Sequence, residues 1–517
     1  MTKRYFILVA FILSLHSAFS QYTFNWGRAL GGLSMDFGFS MVPADNHSFL
    51  FSGYTGSTDG DISGNHGAND AWIVRMDSLG ALLWSKALGG SASESLPAVQ
   101  QTGAGGFILG GESSSDDGDV QGNHGNQDFW ALLLNSGGMI QWSRLFGGSD
   151  ADLANAVITT TDGGFLLCGY TESSDGDVVL NHGVVDYWVV KTDTNGNLQW
   201  SKTLGGSLGD YGFGLIQAPD GSYFADGYAL SFDGDVSGNH GVLDGWLVHL
   251  DTSGALVWSH AFGGSADDEF FCLSRTSDGG MIASGGAKSA DGDLPGNKGD
   301  WDAWMVRFDG TGAMLWTKNY GGSGGDIAYY VTETSDGGFL LAAYSKSADG
   351  DVPDNKGGWD DWIIKTDFAG NITWSGTYGG SLDDYARSVL ETASGRIFVS
   401  GTSGSQDGNV GGNHGLYDYW MFKLSPQPVG VQENTSRKAE PFGIFPNPAK
   451  DFVTITLPAG TENTEMIITD NCGRTLLKKE ISLTEEAIIP LVGMPSGILF
   501  IVMKNASVRG VSKIVRY

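Results

Sequence analysis

A period of 58 residues is the feature that most constrains the fold of this chain. The segment "SSDGDVVLNHGVVDYW" (Ser173–Trp188) has close copies that begin at Ser57, Ser115, Ser231, Ser289, Ser347 and Ser405. Two tryptophan series keep the same spacing, namely Trp26, Trp84, Trp142, Trp200, Trp258, Trp316 and Trp374, and Trp72, Trp130, Trp188, Trp246, Trp304, Trp362 and Trp420. Seven copies without an insertion indicate repeats that bury their faces on their neighbours.

Each repeat contains the pattern of four short strands. In the third copy these are "LANAVITT", "GGFLLCGY", "DYWVVKTD" and "NLQWSKTL", with Thr-Asp-Gly-Gly and Asn-Gly turns. Helical periodicity is absent. Together with seven copies, this pattern predicts an all-β chain with a seven-bladed β-propeller over Gln21–Pro426. The tryptophans bury roughly 150–250 Å² each and are expected in the spaces between blades.

The two ends of the repeat region predict how the ring closes. The first copy opens with the fourth-strand pattern "FNWGRAL" (Phe24–Leu30), and the last copy ends after the third-strand pattern "DYWMFKL" (Asp418–Leu424). Pairing these two segments would complete one blade. It would also remove sheet edges that invite aggregation.

Composition and the N-terminus indicate an exported protein. Met1–Ser20 combines Lys3 and Arg4 with an apolar run from Phe6 to Leu15, which predicts a secretory signal peptide. Later apolar runs fall short of the roughly 18–20 residues that cross a bilayer, so we expect no transmembrane segment. Gln21–Pro426 contains 17 lysines and arginines against 50 aspartates and glutamates, a formal charge of −33. Such a surface repels nucleic acid and anionic lipid.

A segment of different composition follows the repeats. The polar stretch "QPVGVQENTSRKAEP" (427–441) predicts a linker. Beyond it, "FGIFPNPAKDFVTITLP", "IITDNCGRTLLKKEI", "MPSGILFIVMKN" and "SKIVRY" resemble a type A sorting domain of the type IX secretion system. The positions that match the family pattern are Phe445, Pro446, Asn447, Pro448, Gly473, Gly497 and Lys513.

This resemblance implies a small β-sandwich over Phe442–Tyr517. It also implies export by the type IX machinery of Bacteroidetes-like bacteria, through the periplasm after signal-peptide export. The cargo would be secreted or attached to the outer-membrane surface.

The long loop of each repeat is rich in side-chain oxygens. Its first aspartate, its asparagine and the aspartate two residues before the tryptophan are present in all seven copies. They act either as turn residues that bond backbone amides or as Ca²⁺ ligands. The candidate calcium ligands are Asp59, Asn65, Asp70, Asp117, Asn123, Asp128, Asp175, Asn181, Asp186, Asp233, Asn239 and Asp244. Seven further acids in the inter-blade links are expected near one channel mouth: Asp36, Glu94, Asp152, Asp210, Asp268, Asp326 and Asp384.

One sector of the ring differs locally from the rest. The loop position that is histidine in five copies becomes Lys298 and Lys356 in the fifth and sixth, so that histidine is not a required ligand or catalyst. The same copies carry Trp301 and Trp359 beside the loop. This sector is either drift between adjacent duplicates or a binding site with aromatic and cationic groups.

These observations favour an exported binding or scaffold module whose ligand is a glycan or a protein. The alternative is a secreted polysaccharide-degrading enzyme that uses a pair of acids on the loop face. The chain lacks the H-E-x-x-H, P-loop and dinucleotide fingerprints. An enzyme needs one blade with an isolated acid pair in a pocket, whereas a binding module is expected to have near-equivalent loops.

Overall fold

A computed structural model describes residues 22–45, 47–427, 443–445, 449–456, 464–470, 474–481, 486–504 and 509–516. The chain divides into two compact units, Met1–Val429 and Gly430–Tyr517. Every regular element in the described residues is a β-strand, and none of these residues forms a helix long and apolar enough to cross a membrane. The predicted signal peptide, and the predicted linker apart from Gln427, lie outside the described residues.

The first unit consists of seven four-stranded antiparallel sheets, which are the blades of the predicted propeller. Blade 1 contains β2 (Asp36–Asp45), β3 (Ser48–Thr55), β4 (Asp70–Asp77) and β5 (Leu82–Leu88), and blade 2 contains β6 (Glu94–Gln101), β7 (Phe107–Ser113), β8 (Asp128–Leu134) and β9 (Ile140–Phe146). Blade 3 contains β10 (Asp152–Thr159), β11 (Phe165–Thr171), β12 (Asp186–Thr192) and β13 (Leu198–Leu204), and blade 4 contains β14 (Asp210–Gln217), β15 (Tyr223–Ala229), β16 (Asp244–Leu250) and β17 (Leu256–Phe262). Blade 5 contains β18 (Asp268–Arg275), β19 (Met281–Ala287), β20 (Asp302–Phe308) and β21 (Met314–Tyr320), and blade 6 contains β22 (Asp326–Glu333), β23 (Phe339–Ser345), β24 (Asp360–Thr366) and β25 (Ile372–Tyr378).

Blade 7 joins the two ends of the repeat region and confirms the predicted ring closure. It contains β26 (Asp384–Glu391), β27 (Ile397–Ser403), β28 (Asp418–Pro426) and β1 (Tyr22–Leu30). β1 runs antiparallel to β28, with Tyr22 opposite Pro426 and Leu30 opposite Tyr419. The N-terminal strand therefore supplies the fourth strand of the last blade.

Both tryptophan series contribute to the contacts between blades. The series that begins with Trp72 is 0% exposed, and Trp188 of blade 3 packs 4.5 Å from Phe129 of blade 2, measured between ring centroids. The series that begins with Trp26 is half-buried, and six of its members lie against glycine turns of the following blade, whereas Trp374 lies 4.7 Å from Tyr22 between ring centroids. Gly138 has a φ of 74°, and a Cβ there would lie 2.6 Å from the Trp84 ring. That turn needs glycine both for its conformation and for the close approach of the indole.

The second unit contains two antiparallel sheets. One sheet has the order β29 (Gly443–Phe445), β30 (Phe452–Thr456) and β33 (Glu486–Pro490), and the other has the order β32 (Thr475–Ile481), β31 (Thr464–Asp470), β34 (Gly497–Lys504) and β35 (Arg509–Arg516). Val453 and Ile489 of the first sheet share one buried cluster with Met466 and Ile501 of the second. This is the small β-sandwich that the resemblance implies.

Candidate functional site at the channel mouth

The innermost strand of every blade contains a β-bulge. A bulge leaves a residue outside the ladder and changes the direction of its side chain. The corresponding residues of the seven blades line one central cavity of about 560 Å³: Phe39, Pro97, Asn155, Phe213, Phe271, Tyr329 and Arg387. Their spacing of 58 residues places one of them on each blade. We call these seven residues the bulge ring.

Aromatic side chains, some of them members of the bulge ring, form a band on the side of the channel where the long loops lie. We call this side the loop face. These rings form two arcs of neighbouring side chains. The first arc begins with Tyr170 and Tyr211, whose ring centroids are 5.0 Å apart, and ends with Phe271 and Tyr329, whose ring centroids are 5.5 Å apart. The second arc joins Tyr344 to Tyr385 at 5.2 Å. The full set, which we call the aromatic belt, contains Phe37, Phe39, Tyr54, Tyr170, Tyr211, Phe213, Tyr228, Phe271, Tyr329, Tyr344, Trp359, Tyr385 and Tyr417.

Arg387 lies where the two arcs meet. Its guanidinium carbon is 4.2 Å from the ring centroid of Tyr329 and 5.3 Å from that of Tyr344. Tyr385 and Phe39 lie at 5.7 and 5.9 Å. These are cation–π distances, so the rings hold the guanidinium without neutralising it.

Two acids that do not recur in the other blades lie near belt tyrosines: Glu112 near Tyr54 and Tyr170, and Glu269 near Tyr228 and Tyr344. Glu112 occupies the position that is Tyr54, Tyr170, Tyr228 or Tyr344 in other blades. Burial raises the pKa of Glu112 to about 8. Burial, together with the charge of Asp267, raises the pKa of Glu269 to about 7. A substantial fraction of each carboxyl is therefore protonated at neutral pH, and a protonated carboxyl can donate a hydrogen bond.

The structure divides the predicted ligand sector into two groups. Trp359 belongs to the aromatic belt, and Lys346 Nζ lies 4.7 Å from its ring centroid. Lys288 Nζ lies at the same distance from the ring centroid of Trp301. Its ring fits over Gly286, where a Cβ would lie 2.9 Å from Trp301 Cε3.

The two lysines that the sequence singled out lie elsewhere and tie adjacent blades together. Lys298 pairs with Asp351 of the next blade. Lys356 Nζ donates to Asn409 Oδ1 at 2.8 Å and to Thr377 O at 3.1 Å.

The predicted calcium ligands hold loop amides. Asp175 Oδ1 accepts from Ser149 N at 2.7 Å, and Asn181 Oδ1 accepts from Gly183 N at 3.0 Å. Asp186 Oδ2 accepts from His182 N at 2.7 Å. Equivalent bonds recur at Asp59, Asn65, Asp70, Asp117, Asn123, Asp128, Asp233, Asn239 and Asp244. Within the described ranges, no group of three His, Cys, Asp or Glu side chains is arranged to hold a metal ion.

We keep calcium binding as a proposal with a direct test. Asp175→Asn retains an oxygen that can accept the bond from Ser149 N but removes the carboxylate charge. If the loops bind calcium, millimolar Ca²⁺ raises the melting temperature above that in NaCl of equal ionic strength, and the variant loses about one blade's share of the gain. Equal melting temperatures in chelator and in calcium would leave these residues as turn and inter-blade ties.

The seven link acids lie at the loop-face ends of the inner strands, but they are fully buried instead of open to the channel mouth. Each shares its space with the third-strand aspartate of the preceding blade. Asp152 Oδ2 and Asp128 Oδ1 would both lie 2.6 Å from a Cβ on Gly147, so that link requires glycine. Oδ1 of Asp128 has no hydrogen-bond partner. Burial raises the pKa of Asp128 and brings that of Asp152 to about 6.

Comparison with known families identifies the second unit. Residues 443–516 match the family described as secretion system C-terminal sorting domain. The chain is a β-propeller protein with a type IX sorting domain at its C-terminus, a combination that implies secreted or cell-surface export. Of the sorting positions, Phe445 lies in β29, Gly497 begins β34 and exposed Lys513 lies in β35. Pro446, Asn447, Pro448 and Gly473 lie outside the described residues.

Three individual proteins are distantly similar to this chain. Regulatory protein FlaEY of Caulobacter vibrioides is 29% identical over 185 residues, which cover 32% of this chain and 19% of FlaEY. The match thus spans about a fifth of that relative's length. Among solved structures, Sqt1 from Chaetomium thermophilum has 12% identity and a TM-score of 0.39, with 77% of this chain and all of that chain covered. BBS1N in complex with ARL6DN has 7% identity and a TM-score of 0.42, with coverages of 80% and 98%.

Proposed function

We propose that this protein is an exported binding module and that the aromatic belt at the loop-face channel mouth binds a glycan. The observation that carries the proposal is the asymmetry of the channel. The long loops of the seven blades repeat the same hydrogen bonds, as expected for a binding module. The bulge ring, in contrast, changes from proline to asparagine, aromatic and arginine around the circle. Variation on a cavity wall is typical of a ligand site on a repeated scaffold.

The chemistry of the belt favours a sugar over other ligands. Most of its rings are partly exposed, so they offer flat apolar faces beside hydroxyl groups. A pyranose ring presents C–H faces to such rings, and its edge hydroxyls suit Tyr hydroxyls, Glu112 and Glu269. A formal charge of −33 over Gln21–Pro426 disfavours nucleic acid. Delivery outside the cell by the sorting domain brings the module to places where glycans are abundant.

Removal of belt aromatics tests this proposal. We expect Trp359→Ala or Tyr385→Ala to raise the dissociation constant of a bound oligosaccharide at least tenfold, about 1.4 kcal/mol. Candidate sugars come from a glycan array probed with the full exported chain, and affinities come from calorimetry. Phe368→Ala is the matched control, because Phe368 is 52% exposed in a turn on the opposite face. Unchanged affinity in both belt variants would contradict the proposal.

The unique acids favour a second candidate function, cleavage of the bound sugar. A general acid needs a pKa near the working pH, and Glu112 and Glu269 have raised values at the same channel. The same oligosaccharides, incubated with the protein and analysed for new reducing ends, distinguish the two functions. A binding module returns them intact. Cleavage that disappears in Glu112→Gln or Glu269→Gln would establish the enzyme.

A further inference from the structure

Arg387 is the one charged residue of the bulge ring, and the other six are aromatic or uncharged. Other shielded cations of the propeller have carboxylate partners: Arg75 pairs with Asp45, Lys191 with Asp162 and Arg307 with Asp278. In the part of the chain that the structure describes, no ion pair includes Arg387. A strongly acidic domain therefore leaves an unpaired guanidinium on the wall of its central cavity.

The acid behind Arg387 does not neutralise it. Asp361 is 1% exposed, and neither of its carboxylate oxygens has a hydrogen-bond partner. Burial raises the pKa of Asp361 well above its usual range, and the charge of Arg387 lowers it only in part. A buried site without a hydrogen-bond partner therefore favours the neutral form of Asp361. The positive charge of Arg387 is left for a group that enters the channel.

A shielded cation that lacks a counter-charge is costly to the fold, and an anion that enters the site removes this cost. The four surrounding rings stabilise the guanidinium electrostatically, and the Tyr344 hydroxyl also interacts with it. A guanidinium has five N–H donors, so donors remain for the oxygens of an oxyanion. The same rings belong to the aromatic belt, so one ligand can stack on a ring and reach the guanidinium at once.

We propose that Arg387 is the anion-binding residue of this site and that the bound glycan is an acidic saccharide, with a carboxylate or sulfate group beside a sugar ring that stacks on the belt. This inference rests on the proposed function of the belt. The negative charge of the rest of the domain repels anions in general. We assign the selectivity for the acidic sugar to Arg387 because it is the cation of the bulge ring, where the two arcs of the belt meet.

The test uses the full exported chain and matched pairs of oligosaccharides on an array and in calorimetry. One pair is an oligogalacturonate and its methyl ester, and the other is a sulfated oligosaccharide and its desulfated form. We expect the acidic member of at least one pair to bind at least tenfold more tightly than its neutral counterpart. The carboxylate and sulfate arms distinguish the two sources of negative charge.

Three arginine variants assign the effect. In Arg387→Gln the ratio of the affinity for the acidic saccharide to that for its neutral counterpart should fall to about one. In Arg387→Lys part of this preference should remain. Arg275→Gln should leave it unchanged, because Arg275 lines the same cavity at the far end of an inner strand. Unaltered melting temperatures show that the variants fold.

The outcomes separate the two proposals. Equal affinity for acidic and neutral members, with both lost in Trp359→Ala, overturns the role of Arg387 and leaves glycan binding intact. An acidic preference that persists in Arg387→Gln also overturns it. Absence of binding to every saccharide overturns the proposed function itself.

Discussion

Deletion of residues 21–32 should unfold blade 7 and destabilise the whole propeller. The deletion removes β1, whose pairing with β28 closes the ring. Leu30 is fully buried, and Phe24 lies 5.7 Å from Phe422 between ring centroids. Trp26 packs against Phe398 at 6.3 Å. Because each such side chain contributes roughly 1.5–3 kcal/mol, we expect a loss of about 5 kcal/mol or more in unfolding free energy.

The measurement is thermal and urea unfolding of the full and truncated proteins, with sedimentation to detect association through the exposed edge of β28. A synthetic peptide of residues 21–32, added in excess, should restore stability by strand addition, and a scrambled peptide should not. If the truncated protein melts like the full protein, β1 does not close the ring.

The sequence predicts this architecture well because the period is a global property. Two tryptophan series and one loop, counted at 58-residue intervals, determine the number of blades and the strand pattern that each end lacks. No local assignment has to be accurate for that inference. The structure confirms the predicted pairing of the two incomplete ends and adds its register, with Tyr22 opposite Pro426.

The proposed binding site is hard to find from the sequence because of the same regularity. Sequence reasoning follows what recurs, whereas the bulge ring is a position at which the repeats differ, as Pro97, Asn155 and Arg387 show. The sequence feature that could have indicated the site is the change of residue type at one position of the 58-residue repeat. The sequence pattern drew attention to the loop lysines, because they replace a histidine that the other copies share, and not to Lys288 and Lys346. In the structure Lys288 and Lys346 contact the two tryptophans, whereas the loop lysines bond to the neighbouring blade.

The link acids show a different limit of sequence reasoning. Their spacing places them at the loop face, but side-chain direction depends on the packing of adjacent blades. The Gly-Gly link that follows each blade leaves room for two carboxyls under one glycine, such as Asp128 and Asp152 under Gly147. A linear pattern does not reveal that an acid of one blade and an acid of the next occupy the same buried space.

Replacement of Asp361 by alanine should stabilise the propeller, and the gain should grow with pH. The residue is buried without a hydrogen-bond partner, while blades 1 and 5 have Ala71 and Ala303 at this position. An unsatisfied buried carboxyl costs about 1–3 kcal/mol, and alanine fits the repeat. We expect a gain of about 2 kcal/mol near neutral pH, measured by urea unfolding.

The sign of the pH dependence follows from proton linkage. The pKa of Asp361 in the folded state lies well above the ordinary value of 3.8 that applies to the unfolded chain. Between the two values the folded protein holds a proton that the unfolded chain has released, so the wild type loses stability as pH rises, by up to about 1.4 kcal/mol per unit for this group. Asp361→Ala lacks this loss. Its advantage should be smallest near pH 4 and should increase toward pH 8.

Asp150→Ala is the control for the general effect of removing an acid from a protein with a net charge of −30, because Asp150 is exposed. It should change stability little and with no steep dependence on pH. A gain that is constant from pH 4 to pH 8 would show that the pKa of Asp361 is not raised in the fold. A loss of stability in Asp361→Ala would show that the buried carboxyl is ionised and paired in the fold. In that case Arg387 would be its partner, and the positive charge assigned to the channel would already be compensated within the protein.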